Sequence, residues 1–422
     1  MSDHALMAAI GGMDTAGIGR LLAVLAAIAL AIGLRFAKLR GYQFTAWIIV
    51  AVVSGMLYPE RVLKVGEFDM RNKWLILFVV QAVMFGMGTQ MKLKDFVGVV
   101  RMPWAVFVGV LGQFTIMPLT GYALTKIFHF EPEIAAGVIL IGSCSAGLAS
   151  NVMAYLAGAN LALSITMTSV TTMLAPLMTP LWMKWLAGEL VEVNVFGMMM
   201  EIIKIVIVPI GAALLHDYLS FASRRGRMVV YATAVAAAAW LVFLAKGGWP
   251  QVAARGSSDV LPWIGVGGFL LGAVLVGLLY HLLTGVIPRL SAWTPVLSMA
   301  GIVYFTTVTT AAGRDHLLRV GVLLFLAAVL HNAAGYLFGY WLARAGGLDR
   351  NSARTVAFEV GLQNGGMASG IAGSLGKLGT MGLASAIFSP WMNVSGSVLA
   401  NYWRRKPVTG SVKTRRADQQ RN

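Results

Sequence analysis

The stretch "FEVGLQNGG", residues 358–366, places one carboxylate (Glu359), two adjacent amides (Gln363 and Asn364) and three glycines inside otherwise apolar sequence. An acidic side chain at the centre of a membrane span costs about 2.5–3.5 kcal/mol on insertion scales. A helix break at that depth strands backbone amides and carbonyls that no water can reach. A segment carrying both is retained where the freed groups hold something.

The rest of the chain supplies the membrane. It has 422 residues, 58% hydrophobic and 12% charged, against roughly 25% charged in soluble domains. With about 20 apolar residues needed per helical crossing, spans are expected near 17–37, 44–58, 74–90, 103–126, 133–157, 160–187, 196–216, 228–246, 260–284, 295–312, 316–343, 354–376 and 381–403. No run of about ten alternating residues marks a β-barrel strand, so the fold class is an all-α polytopic membrane protein. Trp263, Trp293 and Trp403 fall near span ends, as interfacial anchors do.

The net charge of +16 suggests nucleic acid until its placement is followed. Through thirteen crossings, 20 of the 33 Lys and Arg fall on one side, among them Arg101, Arg224, Arg344 and Arg404. That lopsided distribution sets the cytoplasmic face, with the N-terminus outside and the C-terminus inside. A polybasic stretch beside a membrane serves topology and anionic lipid. The partners expected are therefore the lipid bilayer and a small solute, and no nucleic acid. Cys144 is the single cysteine, which excludes a disulfide framework and a CxxC site. The first residues lack the basic n-region of a secretory signal.

A weak internal repeat gives the interrupted segment its meaning. The helix ending "LGQFTIMPLTGYAL" precedes "GVILIGSCSAGLASNVMAYLAG" and then a long helix from residue 160. Much later, the helix with "LHNAAGYLFGYWL" precedes "RTVAFEVGLQNGGMASGIAGSLG" and then a helix from residue 381. The first triple starts at the basic face and the second ends there, so the two are inverted. Paired interrupted spans in inverted repeats point to the central site of a secondary transporter.

Oxygen atoms concentrate at the same place. Hard cations take cages of oxygen, and the interrupted segments carry Ser150, Asn151, Gln363 and Asn364 besides Glu359. Ser164 and Thr168, four residues apart, share one helix face. Gln113 adds an amide in hydrocarbon. Lys204, the nearest cation within a span, has Glu201 three residues earlier as its own partner. Glu359 is thus left for a small cation. Broken-helix N-termini near Gly147, Leu148 and Ala149, and near Asn364 and Gly365, are positioned for an anionic group. His331, beside Asn332 in a span, reads as a packing hydrogen bond. No nucleophile elbow, phosphate loop or HExxH pair is present, so an enzyme is not expected.

These segments resemble the bile acid:sodium symporter family. Where that family reads close to "CPGGTASNVMTYLA" and "EVGMQNSGL", this chain has "CSAGLASNVMAYLA" (144–157) and "EVGLQNGGM" (359–367). "FGMGTQMKLKDF" (85–96), "GQFTIMP" (112–118), "LAPLMTP" (174–180) and "NVSGSVLANYW" (393–403) also follow its pattern. The resemblance implies ten helices in two inverted five-helix repeats, with two broken helices crossing and a core rocking against a panel. It implies two sodium ions. One falls on Ser150, Asn151, Ser164, Thr168 and Glu359. The other falls on Gln113, Glu359 and Gln363 with backbone oxygens of Val360 and Leu362. Sodium-coupled symport of an organic anion is the implied activity; the alternatives are a proton-coupled transporter on the same fold, with Glu359 desolvated, and a channel or sensor in which the crossing gates.

About three helices are extra. The implied division is an added helix in 1–42, panel helices in 43–100, core helices in 101–190, and panel helices in 195–312 around a hairpin near 228–284. Core helices in 313–403 and a basic tail in 404–422 complete it. Ser145 and Ala146 replace the family's Pro and Gly, Leu148 replaces its Thr, and Met392 replaces a common His. The ion-site residues stand, while a hydroxyl is gone from where members hold substrate.

Overall fold

The computed structural model describes residues 15–34, 43–257 and 260–408. Parts of the two terminal segments, 1–14, 35–42 and 409–422, lie outside the described residues. All thirteen expected spans have a helical counterpart. We number them α1 (Thr15–Gly33), α2 (Gln43–Leu57), α3 (Lys73–Gly88), α4 (Pro103–Phe128), α5, α6 (Leu161–Ala187), α7 (Val195–Phe221), α8 (Arg224–Ala245), α9 (Leu261–Val286), α10 (Leu290–Ala312), α11 (Arg314–Ala345), α12 and α13 (Gly382–Arg404). Eight of these helices are individually long and apolar enough to cross a membrane.

The fifth and twelfth are the broken ones. α5a (Pro132–Ser143) ends in extended backbone at Cys144, and α5b (Ala149–Leu156) resumes. α12a (Arg350–Gly361) ends in extended backbone at Leu362, and α12b (Gly365–Ser374) follows. Asn364 starts α12b as its N-cap, its side-chain oxygen accepting from the Met367 amide at 3.0 Å. Each second half closes on a left-handed glycine, Gly158 (φ 65°) after α5b and Gly376 (φ 70°) after α12b. The two triples, α4–α5–α6 and α11–α12–α13, are inverted copies of one plan.

These six helices pack on one another around the breaks, α4 with α5a, α6, α11 and α12a, and α11 with α12a and α13. A second group forms from α2, α3, α7 and α10, with α3 against both α10 and α7 and α2 against α10. α12b touches α3, joining the groups. The extra helices are peripheral. α1 packs on α2, and α9 packs on both α7 and α8.

Several features escaped the sequence reading. α3 continues past a bend of 71° into a short helical stretch, Leu93–Arg101. Lys64–Val65 and Phe68–Asp69 form a small antiparallel ribbon. Within α7, residues Ile203–Ile207 run as a π-helix. Trp403 is half-buried and also packs edge-on to Phe358 at 5.0 Å, with the Arg354 guanidinium over its ring. Trp263 and Trp293 are exposed, as expected.

Close approach is set by glycines. A Cβ on Gly361 would sit 2.3 Å from the Tyr336 ring, and one on Gly335 would meet Gly361 Cα at 2.7 Å. Overpacking of this kind typically costs about 1–3 kcal/mol. Gly361→Ala is therefore expected to lower the melting temperature in detergent. Gly267→Ala on α9, where a Cβ meets nothing within 4 Å, is expected to leave it unchanged or raised.

Candidate functional site at the helix crossing

The two breaks meet as a short antiparallel backbone pair. Gly147 N–H donates to Leu362 O at 2.9 Å, and Asn364 N–H donates to Ser145 O at 2.8 Å. Residue 147 must be glycine for this, since a Cβ would lie 2.7 Å from Gln363 O. Broken spans thereby satisfy each other's stranded groups, as hydrocarbon requires.

Side chains from neighbouring helices complete the accounting. Gln113 on α4 donates through Nε2 to Cys144 O (2.9 Å) and to Gln363 Oε1 (2.8 Å). Gln363 Nε2 donates to Val360 O at 2.6 Å. Thr179 on α6 donates to Ser143 O at 2.7 Å, closing the end of α5a. Asn332 on α11 does the same for α12a, donating to Gly361 O at 2.8 Å and accepting from Ser395 at 2.6 Å. His331 contacts Met117 O at 2.8 Å, the packing bond expected of it.

Glu359 is fully buried at the centre. Ser164 Oγ lies 2.5 Å from its Oε1, and Thr168 Oγ1 lies 3.1 and 2.9 Å from its two oxygens. The same hydroxyls also reach Asn151 Oδ1, at 2.8 and 3.3 Å. Ser150 Oγ donates to Gly147 O at 2.7 Å and stands 3.4 Å from Thr168 Oγ1. Ser164 and Thr168 have one proton each for three acceptor oxygens. Among the described residues, no basic group forms an ion pair with Glu359. Lys204 pairs with Glu201 instead. Crowded oxygens with too few protons, around an unpaired carboxylate, attract a hard cation.

Of the second expected ion set, the structure brings together Gln113, Gln363 and the Val360 carbonyl. Gln113 Oε1 is buried without a hydrogen-bond partner. Leu362 O is engaged by Gly147, with one lone pair left. No hydrogen bond joins Glu359 to Gln113 or Gln363, so the carboxylate lies with the first set. Among residues named for an anion, Leu148 and Ala149 are half-exposed at the start of α5b, while Gly147, Asn364 and Gly365 are buried. Asn364 Nδ2 reaches Ser145 Oγ and Met87 Sδ, each at 3.5 Å.

Sequence reasoning missed Thr179 and the role of Asn332. A hydroxyl residue directly before Pro180 in "LMTP", and an amide deep in a span, were the available signals. Ser145 and Thr172, whose hydroxyls are 3.3 Å apart, were also not foreseen as partners.

Residues 75–251 match the model of the Sodium Bile acid symporter family. The chain is 33% identical over 367 residues to an uncharacterized sodium-dependent transporter, YocS, of Bacillus subtilis (strain 168), covering 87% of this chain and 92% of that one. It is 29% identical to the probable sodium/metabolite cotransporter BASS1, chloroplastic, of Arabidopsis thaliana (86% and 73% covered). The human ileal sodium/bile acid cotransporter is 27% identical over 296 residues, 69% of this chain and 66% of that one. In architecture, the sodium proton antiporter MjNhaP1 of Methanocaldococcus jannaschii superposes with a TM-score of 0.53 at 13% identity, over 95% of this chain and 99% of that one.

Replacing Gln113 by Leu leaves Cys144 O and Gln363 Oε1 without a donor at the crossing. An orphaned buried group costs about 1–3 kcal/mol. Gln113→Leu is expected to lower the melting temperature in sodium-free buffer well below that of Thr115→Val. Thr115 only bonds its own helix, at Leu111 O.

Proposed function

Because the chain belongs to the sodium bile acid symporter family, a family of membrane transporters and not enzymes, we propose that it couples sodium entry to symport of a small organic anion. Its place is the cytoplasmic membrane, with the N-terminus outside and the C-terminus inside. Two sodium ions bind at the crossing. Ser150, Asn151, Ser164, Thr168 and Glu359 hold the first. Gln113, Gln363 and the Val360 and Leu362 carbonyls hold the second, with Glu359 supplying its charge from beside it.

The observation that carries this reading is the buried, unpaired Glu359 among oxygens short of protons. Oxygens of the first site come from α5b, α6 and α12a, so one ion draws three elements together. The anion lies at the helix N-termini by Gly147–Ala149 and Asn364–Gly365, drawn by their positive partial charge rather than by the Gly147, Asn364 and Gly365 amides, which are already hydrogen-bonded. Alternating access follows when the six helices around the breaks (the core) rock against the α2, α3, α7 and α10 panel, as sets of helices do in inverted-repeat transporters.

One observation favours a second reading. The 2.5 Å contact of Ser164 Oγ with a fully buried Glu359 oxygen also suits a protonated carboxyl, and hence proton coupling. Melting of purified protein in sodium against potassium separates the two. A ligand bound only by the folded state stabilises by about 2.7 kcal/mol at a hundredfold excess over Kd. A sodium-specific rise, lost in Glu359→Gln, is expected. A melt that depends on pH, ignores sodium and loses that dependence in Glu359→Gln would establish the proton reading instead. Sodium-driven accumulation of candidate organic anions in vesicles, abolished by Ser164→Ala combined with Thr168→Ala, is the companion outcome.

A further inference from the structure

Away from the crossing, a groove of about 1630 Å³ opens between α3, α7 and the extra hairpin α8–α9. Drug-sized pockets span roughly 300–1,000 Å³, so this one is larger. Its walls are apolar and aromatic, with Phe85, Trp240 and Phe269 among them. Yet two charges stand within it. Lys204 pairs with Glu201, and the two side chains remain 23% and 38% exposed to the groove. The π-helical turn leaves Lys204 O free to accept from Gln81 Nε2 at 3.1 Å. Trp240 Nε1 is buried without a hydrogen-bond partner. Half-open charges are costly where only acyl chains cover them.

The depth of these groups identifies what can reach them. α7 has 27 residues, about 40 Å of helix, and exceeds a ~30 Å hydrocarbon core by about 5 Å at each end. Glu201 lies six residues into α7 and Trp240 five residues before the end of α8, so both sit about 8–9 Å below those helix ends. That places them within about one helical turn of the hydrocarbon boundary, on the same side of the bilayer. Lys204, three residues deeper, brings its ammonium to the level of Glu201 by extending toward it. Ester carbonyls occupy this boundary and phosphates lie just outside it, within reach of such long side chains. Exposed Trp74 and Trp263 mark the groove's rim at that side.

We propose that the groove holds a zwitterionic glycerophospholipid with a primary ammonium head group. Its phosphate meets Lys204 and its ammonium meets Glu201. The acyl chains lie along Phe85 and Phe269. Charge complementarity selects the occupant. A lysine–glutamate pair is neutral as a unit, so an anionic lipid or the transported anion gains at Lys204 and is repelled at Glu201. A zwitterion satisfies both. A second copy of the chain would bring an apolar helix and leave both charges unmet.

The test is native mass spectrometry of the full chain in mild detergent, with phosphatidylethanolamine or phosphatidylglycerol added at equal concentration. Wild type is expected to retain one phosphatidylethanolamine and no phosphatidylglycerol. The double substitution Glu201→Gln/Lys204→Met, which removes the pair without stranding either charge, is expected to lose it. Equal retention of both lipids, retention of neither, an adduct unchanged in the double variant, or a dimer in place of the adduct would each overturn the proposal.

Discussion

The structure depends on two backbone hydrogen bonds, Gly147 N–H to Leu362 O and Asn364 N–H to Ser145 O. Breaking one membrane helix strands groups that hydrocarbon cannot satisfy. Breaking two helices at one point lets each supply what the other lacks. Pairing demands that the backbones touch, which forces glycine at 147 and draws α4, α6, α11 and α13 around the crossing. Gln113, Thr179, Asn332 and Ser395 then serve groups at or behind the breaks. Deep polar residues on these helices thus answer one requirement.

The pairing also decides where charge can sit. α12a delivers Glu359 two residues before its end, opposite the Ser164–Thr168 face of α6 and beside the first turn of α5b. Interior hydroxyls are neutral donors and do not cancel the carboxylate. A charge left without a counter-ion at this depth has two remedies, a bound cation or a proton. Hydroxyls and amide oxygens directed inward lower the cost of the first, because they replace a cation's hydration shell with fixed oxygens. In the proposed cycle the ion is therefore part of the local fold.

Much of this was legible in local sequence signals. The apolar segments mapped to helices because bilayer thickness fixes their length. Ser164 and Thr168 were paired by their four-residue spacing, and Glu201 with Lys204 by three. The breaks were visible as glycine with amide in an apolar run. What stayed hidden depends on contacts between distant segments. Spacing could not show that Gln113 would bridge both breaks, nor that Leu362 O would be engaged by Gly147. Trp403 stands near a span end, as interfacial anchors do, and its spacing gave no sign of its contacts with Arg354 and Phe358. The bend after Gly88 lies in a polar stretch where hydropathy carries no directional signal.

The departures at 145 and 148 act differently once the geometry is considered. A proline at 145 would lack an N–H and enforce the break. Ser145 keeps the break without that, because its carbonyl is held by the Asn364 amide and its hydroxyl lies near Thr172 and Asn364. The fold of the crossing is therefore insensitive to this change. Leu148 is half-exposed at the start of α5b, where it offers methyl groups and no donor. In the proposed reading, recognition of an anion at this end rests on the partial charge of the helix N-termini and on Asn364, next to an apolar side chain. In the proposed symport, that combination favours a ligand with a small charged end and a hydrocarbon body over one rich in hydroxyls. A leucine has nothing to exchange for the water such hydroxyls would lose.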